Sequence, residues 1–182
     1  MPKYAIFLVG LPGSGKSTGA AYLKEFGFVS ISAGDTIRAL CKEEGLALTR
    51  ENLSLLGQRL LSEHGCEYFA ELLLEKASKL DRVVFEGIRP SEVLLWLKHR
   101  IERTLTIFVE AAECERLERL LLARGEDEPS YRRVMEFPME QDILKIKSLV
   151  DATVENNGDL RKFYVDLRRA LLPLLSDCNG QS

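Results

Sequence analysis

Gly10-Leu11-Pro12-Gly13-Ser14-Gly15-Lys16-Ser17 satisfies the phosphate-binding pattern G-x-x-x-x-G-K-[ST] at every defined position. The residues before it, Tyr4 to Val9, read YAIFLV, a short apolar run suited to a buried parallel strand. Thr18 to Phe26 then reads as a helix. Strand, glycine loop and helix N-terminus together make a site for a nucleoside triphosphate. Gly10, Gly13 and Gly15 let the backbone turn its N–H groups toward a β-phosphate, and the helix dipole favours the anion. Lys16 has the reach for the β- and γ-phosphates, and the Ser17 hydroxyl can ligate Mg²⁺. Gly10, Pro12, Gly13, Ser14, Gly15, Lys16, Ser17 and Thr18 are therefore the candidate residues for the nucleoside triphosphate.

Working outward, 182 residues suffice for one α/β domain with a sizeable core. Hydrophobic residues make up 46% and charged residues 29%, both globular values. A net charge of −3 does not indicate a basic nucleic-acid surface. Cys41, Cys66, Cys114 and Cys178 are scattered without a C-x-x-C pair, so they read as thiols in a reducing compartment. The sequence enters a strand almost at once, without the basic region and long apolar stretch of a signal peptide, and no apolar run approaches transmembrane length. The expectation is a cytoplasmic protein with no membrane partner; oligomeric state is not legible.

Five β-like runs alternate with helical patterns: Tyr4–Val9, Phe28–Ser32, Arg82–Glu86, Thr104–Val109 and Ala152–Glu155. Such alternation argues for a parallel sheet with helices on both faces. Between the second and third runs lie helical stretches at Asp35–Glu44, Glu51–Glu63 and Glu67–Leu80, a long excursion able to wall a second substrate. Further helices are expected at Ser91–His99, with Trp96 covering part of the core, at Glu113–Ala123, in part over Tyr131–Val150 with an interruption at Pro138, and at Asp159–Leu175. The tail from 177 to 182 is expected to be flexible.

Glu86 ends the third run. An acidic residue at a strand tip beside the loop strand is where the Mg²⁺ shell can be held, and pairing with a neighbouring base is the alternative. Two segments then define a resemblance. Ile31-Ser32-Ala33-Gly34-Asp35-Thr36-Ile37-Arg38 resembles the I-S-x-G-D-x-[LI]-R segment of adenylate kinases, whose arginine grips the phosphate of the nucleoside monophosphate. Glu86-Gly87-Ile88-Arg89 resembles the D-G-[FI]-x-R and D-G-I-R segments of the same superfamily, with the shorter spacing of an archaeal adenylate-kinase-like group related to dephospho-CoA kinases. That group is also similar at Arg124-Gly125-Glu126-Asp127-Glu128-Pro129 and at Val154-Glu155-Asn156-Asn157-Gly158, so the resemblance spans most of the chain.

The resemblance implies a three-layer P-loop NTPase fold with a five-stranded parallel sheet in the order 2-3-1-4-5. It implies an acceptor-binding helical region at about 34–80 and a short lid at about 124–137, within one kinase domain over 1–176. It further implies ATP- and Mg²⁺-dependent phosphoryl transfer to a small phosphate-bearing acceptor, first a nucleoside or deoxynucleoside monophosphate. Arg38 and Arg89 are then the acceptor clamp, with Asp35, Glu86 and Gly87 beside them. Arg suits this work because its planar fork binds phosphate oxygens in pairs. Asp35 either caps its helix or orients Arg38 or the Mg²⁺ water shell. Arg124, with Arg132 or Arg133, is the candidate lid cation over the transferring phosphoryl group, whereas Arg116 and Arg119 read as exposed helix charges. His64 and His99 fall at the ends of helical stretches, and phosphoryl transfer needs no catalytic histidine. Dephospho-CoA as acceptor, or an NTPase or regulator without a small acceptor, are the alternatives.

Overall fold

The computed structural model describes residues 1–124, 128–136 and 138–176; the side chains of 123, 124, 130, 134, 138–141 and 176 also lie outside what is described. The tail at 177–182 and parts of the proposed lid are thus outside the described residues.

A five-stranded parallel sheet is ordered β2-β3-β1-β4-β5. Its strands are β1 (Tyr4–Val9), β2 (Val29–Ser32), β3 (Arg82–Glu86), β4 (Arg103–Glu110) and β5 (Ala152–Glu155). β1 is central and buried throughout, which explains its unbroken apolar run. Its alternate residues feed two cores. Ala5, Phe7 and Val9 face one layer, formed from helices α3 (Arg50–Lys76), α4 (Ser91–Arg100) and α7 (Pro138–Ile146). Tyr4, Ile6 and Leu8 face the other, formed by α1 (Lys16–Leu23) and α8 (Leu160–Ser176). Phe7 stacks on Phe85 of β3 with ring centroids 5.5 Å apart, locking the central pair. Trp96 packs partly buried against the first core, with the Arg100 guanidinium 3.4 Å from its ring centroid.

The excursion after β2 comprises α2 (Ala33–Glu43) and α3. Their outer ends share a small core of Cys41, Leu56 and Leu60, distinct from those on the sheet. The break expected between 63 and 67 falls at Gly65, whose φ of 80 and ψ of 170 kink α3 into two arms. His64 therefore ends the first arm. Helices α5 (Glu113–Arg124) and α6 (Glu128–Met135) follow β4, and Pro138 opens α7 rather than interrupting a helix, since proline suits a first helical position. No described helix is long and apolar enough to cross a membrane.

Candidate functional site

The glycine loop leaves β1 at the C-terminal edge of the sheet, where open α/β sheets bind ligands. Gly15, at φ 96, stands just before α1, so the first free N–H groups of that helix face the loop. A Cβ on Gly13 would lie 2.5 Å from the Arg116 carbonyl oxygen, and one on Gly15 would lie 2.1 Å from Asn156 Nδ2. The loop is thus clasped from outside at two of its glycines. Lys16 Nζ donates to the carbonyls of Gly10 at 2.7 Å and Leu11 at 2.9 Å, resting on the loop itself. Pro12 and Ser14 are buried, while Ser17 is exposed and Thr18 half-buried on the first turn of α1.

Glu86 reaches this loop directly. Its Oε2 accepts from Ser17 Oγ at 2.8 Å and its Oε1 from Ser30 Oγ at 3.2 Å. The carboxylate is therefore held by hydroxyls rather than by a neighbouring base. One carboxylate and one hydroxyl at a phosphate loop form a hard-oxygen set of the kind that binds Mg²⁺ together with phosphate oxygens.

The next residue, Gly87, lines a pocket that continues away from the loop. Arg38, Arg50 and Arg89 line it, together with Ile37, Leu53, Leu61 and Phe69. Ser54 supplies a hydroxyl to the lining. Ser32, not Asp35, caps α2, accepting from the Asp35 N–H at 3.1 Å. Asp35 instead accepts from Arg38 NH1 at 2.6 Å, so it holds the arginine rather than capping the helix. The structure therefore joins Arg38, Gly87 and Arg89 in one pocket, with Asp35 at its edge and Glu86 between pocket and loop.

The remaining arginines fall elsewhere. Arg132 is exposed and bonds Glu128 one turn back on α6 at 2.6 Å, and Arg133 is exposed on the same helix. The Arg124 side chain and residues 125–127 lie outside the described residues. Arg116 and Arg119 correct the expectation of exposed helix charges. Arg116 is only 7% exposed, and its NH1 donates to the buried Tyr131 hydroxyl at 2.7 Å. Arg119 donates to the carbonyls of Gly13 at 3.3 Å and Asn156 at 2.8 Å, bridging the phosphate loop to the turn after β5. Asn156, 3% exposed, donates from Nδ2 to the Ser14 carbonyl at 2.8 Å. Helical periodicity on α5 leaves both arginines off the apolar stripe, so nothing in the local pattern marked them. Arg50 was also missed, although Thr49, which caps α3 by accepting from Asn52 N–H at 3.1 Å, fixes the helix start there.

Residues 9–134 match the family model described as an AAA domain. A UPF0200 protein of Thermococcus onnurineus is 32% identical over 130 residues, covering 68% of this chain and 70% of that protein. The chain belongs to the AAA-domain and UPF0200 families. UPF0200 protein TK1334 of Thermococcus kodakarensis is 27% identical over 94% of this chain and 98% of its own length. A UPF0200/UPF0201 protein of Archaeoglobus fulgidus is 32% identical, and the chain spans 55% of that relative. Among solved structures, a gluconokinase from Sinorhizobium meliloti superposes with a TM-score of 0.61 at 19% identity, covering 99% of this chain and 98% of that one. A shikimate kinase from Aquifex aeolicus gives 0.51 at 20% identity, with 97% and 99% covered. The fold is that of the small P-loop kinases, as the adenylate-kinase resemblance implies.

Proposed function

We propose that the protein transfers the γ-phosphoryl group of ATP, with Mg²⁺, to a small acceptor that already carries a phosphate, most simply a nucleoside or deoxynucleoside monophosphate. The observation that carries this reading is the continuity of two sites. Glu86 touches Ser17 of the phosphate loop, and Gly87, the next residue, lines the arginine pocket. A kinase must bring two polyanions together and cancel their repulsion, and this edge of the sheet offers cations on both sides of the junction.

In this mechanism the loop N–H groups and Lys16 hold the donor phosphates, while Ser17 and Glu86 manage the Mg²⁺, directly or through its water. Bound there, Mg²⁺ would neutralise charge on the donor phosphates. Arg38, held by Asp35, and Arg89 grip the acceptor phosphate and aim its oxygen at the γ-phosphorus. The acceptor oxygen bonds the γ-phosphorus in line as its bond to the β,γ-bridging oxygen of ATP breaks, and ADP leaves. An acceptor phosphate is largely ionised at neutral pH, since its second pKa is about 6. It therefore asks for cations rather than a base, and the lining supplies Arg38, Arg50 and Arg89.

The acceptor body is read from the same lining. Ile37, Leu53, Leu61 and Phe69 suit the flat face of a nucleobase better than a polyol acid, whose hydroxyls each need a polar partner. Arg38→Ala and Arg89→Ala separate this reading from an NTPase without an acceptor. A kinase loses transfer in both variants while keeping ATP binding; an NTPase keeps its hydrolysis, and that result contradicts the proposal. An acceptor panel of ribo- and deoxynucleoside monophosphates with dephospho-CoA tests the hydroxyl alternative.

A further inference from the structure

Helix α4 begins directly behind the acceptor pocket, and its first turn is capped by a residue from another element. Pro90 stands at the cap position with φ −70 and ψ 128, and no side chain of its own segment caps the helix. The Ser91 N–H instead donates to Asp142 Oδ2 of α7 at 3.0 Å, across 51 residues of sequence. Ser91 Oγ lies 3.4 Å from the same oxygen, and Lys145 pairs with Asp142 Oδ1 at 2.8 Å. The Asp142 side chain is only 16% exposed. A carboxylate satisfying a free N–H at a helix N-terminus also sits at the favourable end of the dipole.

The location gives this cap its consequence. Arg89 and Pro90 both line the acceptor pocket, and Ser91 follows immediately. Proline fixes its own φ and restricts the residue before it, so few soft torsions separate the Arg89 Cα from the Ser91 N–H. Anchoring Ser91 therefore anchors the backbone that carries Arg89 on the pocket lining. On the other side, β3 is held by its pairing with β1 up to Glu86. The segment 87–90 is thus suspended between a fixed strand and a capped helix.

We infer that Asp142 is a positioning residue for the acceptor clamp: from α7 it holds the start of α4, and through Pro90 it fixes the Arg89 backbone in the pocket. The inference rests on the kinase reading for its kinetic consequence and on geometry alone for its structural one. Asp142 bonds Ser91 and Lys145, neither of them part of the phosphate loop or the lining, so its loss is expected to act on the acceptor rather than on ATP.

The test compares the full chain with Asp142→Asn, which keeps the shape but loses the charge, and Asp142→Ala, which removes the cap. Amide hydrogen exchange of segment 87–94 is measured alone and with the Mg²⁺ complex of a non-hydrolysable ATP analogue. Exchange in that segment is expected to rise about tenfold or more in the Ala variant and less in the Asn variant, with protection of segment 10–17 by the analogue unchanged. For the acceptor selected by the panel, KM is expected to rise about tenfold in the Ala variant while the ATP KM stays put. Exchange in 87–94 that matches wild type, or a uniform rise over the whole chain, overturns the inference. If no acceptor stimulates turnover, the kinase reading fails, and the exchange arm still decides whether Asp142 holds the segment.

Discussion

The Ser17 hydroxyl donates to Glu86 Oε2 across 2.8 Å although 69 residues separate them. Strand register explains the meeting. β1 and β3 are parallel neighbours with Leu8 opposite Glu86, so the carboxylate ends its strand beside the loop that leaves β1. If this pair manages Mg²⁺, Glu86→Gln keeps the hydrogen bond but removes the charge. Turnover should then need about 10- to 100-fold more Mg²⁺, as read from a magnesium titration at fixed ATP. An unchanged Mg²⁺ dependence assigns Glu86 to loop structure alone.

The acceptor clamp makes a different forecast. Removing Arg38 or Arg89 deletes charge-assisted bonds worth about 1.5–3 kcal/mol each, so kcat/KM for the acceptor should fall roughly 10- to 150-fold. ATP affinity, read by calorimetry, should stay within about twofold. Asp35→Ala, which frees Arg38 from its partner at 2.6 Å, should give a smaller loss in the same direction.

Two glycines offer an internal control on the loop. Gly15 has φ 96, and an added Cβ would lie 2.1 Å from Asn156 Nδ2; Gly45 has φ 70 with nothing within 4 Å of the added atom. Gly45→Ala should cost only the left-handed backbone penalty, about 1–2 kcal/mol in thermal or denaturant unfolding. Gly15→Ala should pay that penalty and displace Asn156 as well, with nucleotide binding lost. Equal costs in the two variants contradict the clasp.

Acid stability follows from two carboxylates. Burial raises the Asp142 pKa, but the bonds from Lys145 and Ser91 outweigh it and leave the group below its ordinary 3.8. Asp166 is lowered chiefly by its bond from Lys162. A depressed folded-state pKa contributes stability above the unfolded value and loses it as pH falls through the folded one. Unfolding temperature should therefore drop on acidification below about pH 4, and Asp142→Asn should flatten that slope. A variant with the wild-type slope contradicts the assignment for Asp142.

The fold was legible because its signals are local. YAIFLV could only be a buried strand before a glycine loop, and the alternating runs fixed the layers. Gly65 broke α3 where the leucine pattern shifts. The candidate pocket was legible where one segment carries its own chemistry, as in Gly34-Asp35 to Arg38 and Glu86 to Arg89. Residues acting across the fold were not. Arg119 and Asn156 clasp the loop from α5 and from behind β5, and Asp142 caps α4 from α7. Their partners are set by tertiary packing, which no periodicity of their own helices encodes.

The most direct measurement follows the labelled γ-phosphoryl of ATP–Mg²⁺ in the presence of ribo- and deoxynucleoside monophosphates, sugar acids and dephospho-CoA, with Lys16→Ala in parallel. Label is expected on one class of monophosphate, with transfer falling at least about 100-fold in the Lys16 variant. Label released only as inorganic phosphate, at a rate that no acceptor changes, would contradict phosphoryl transfer to a small acceptor.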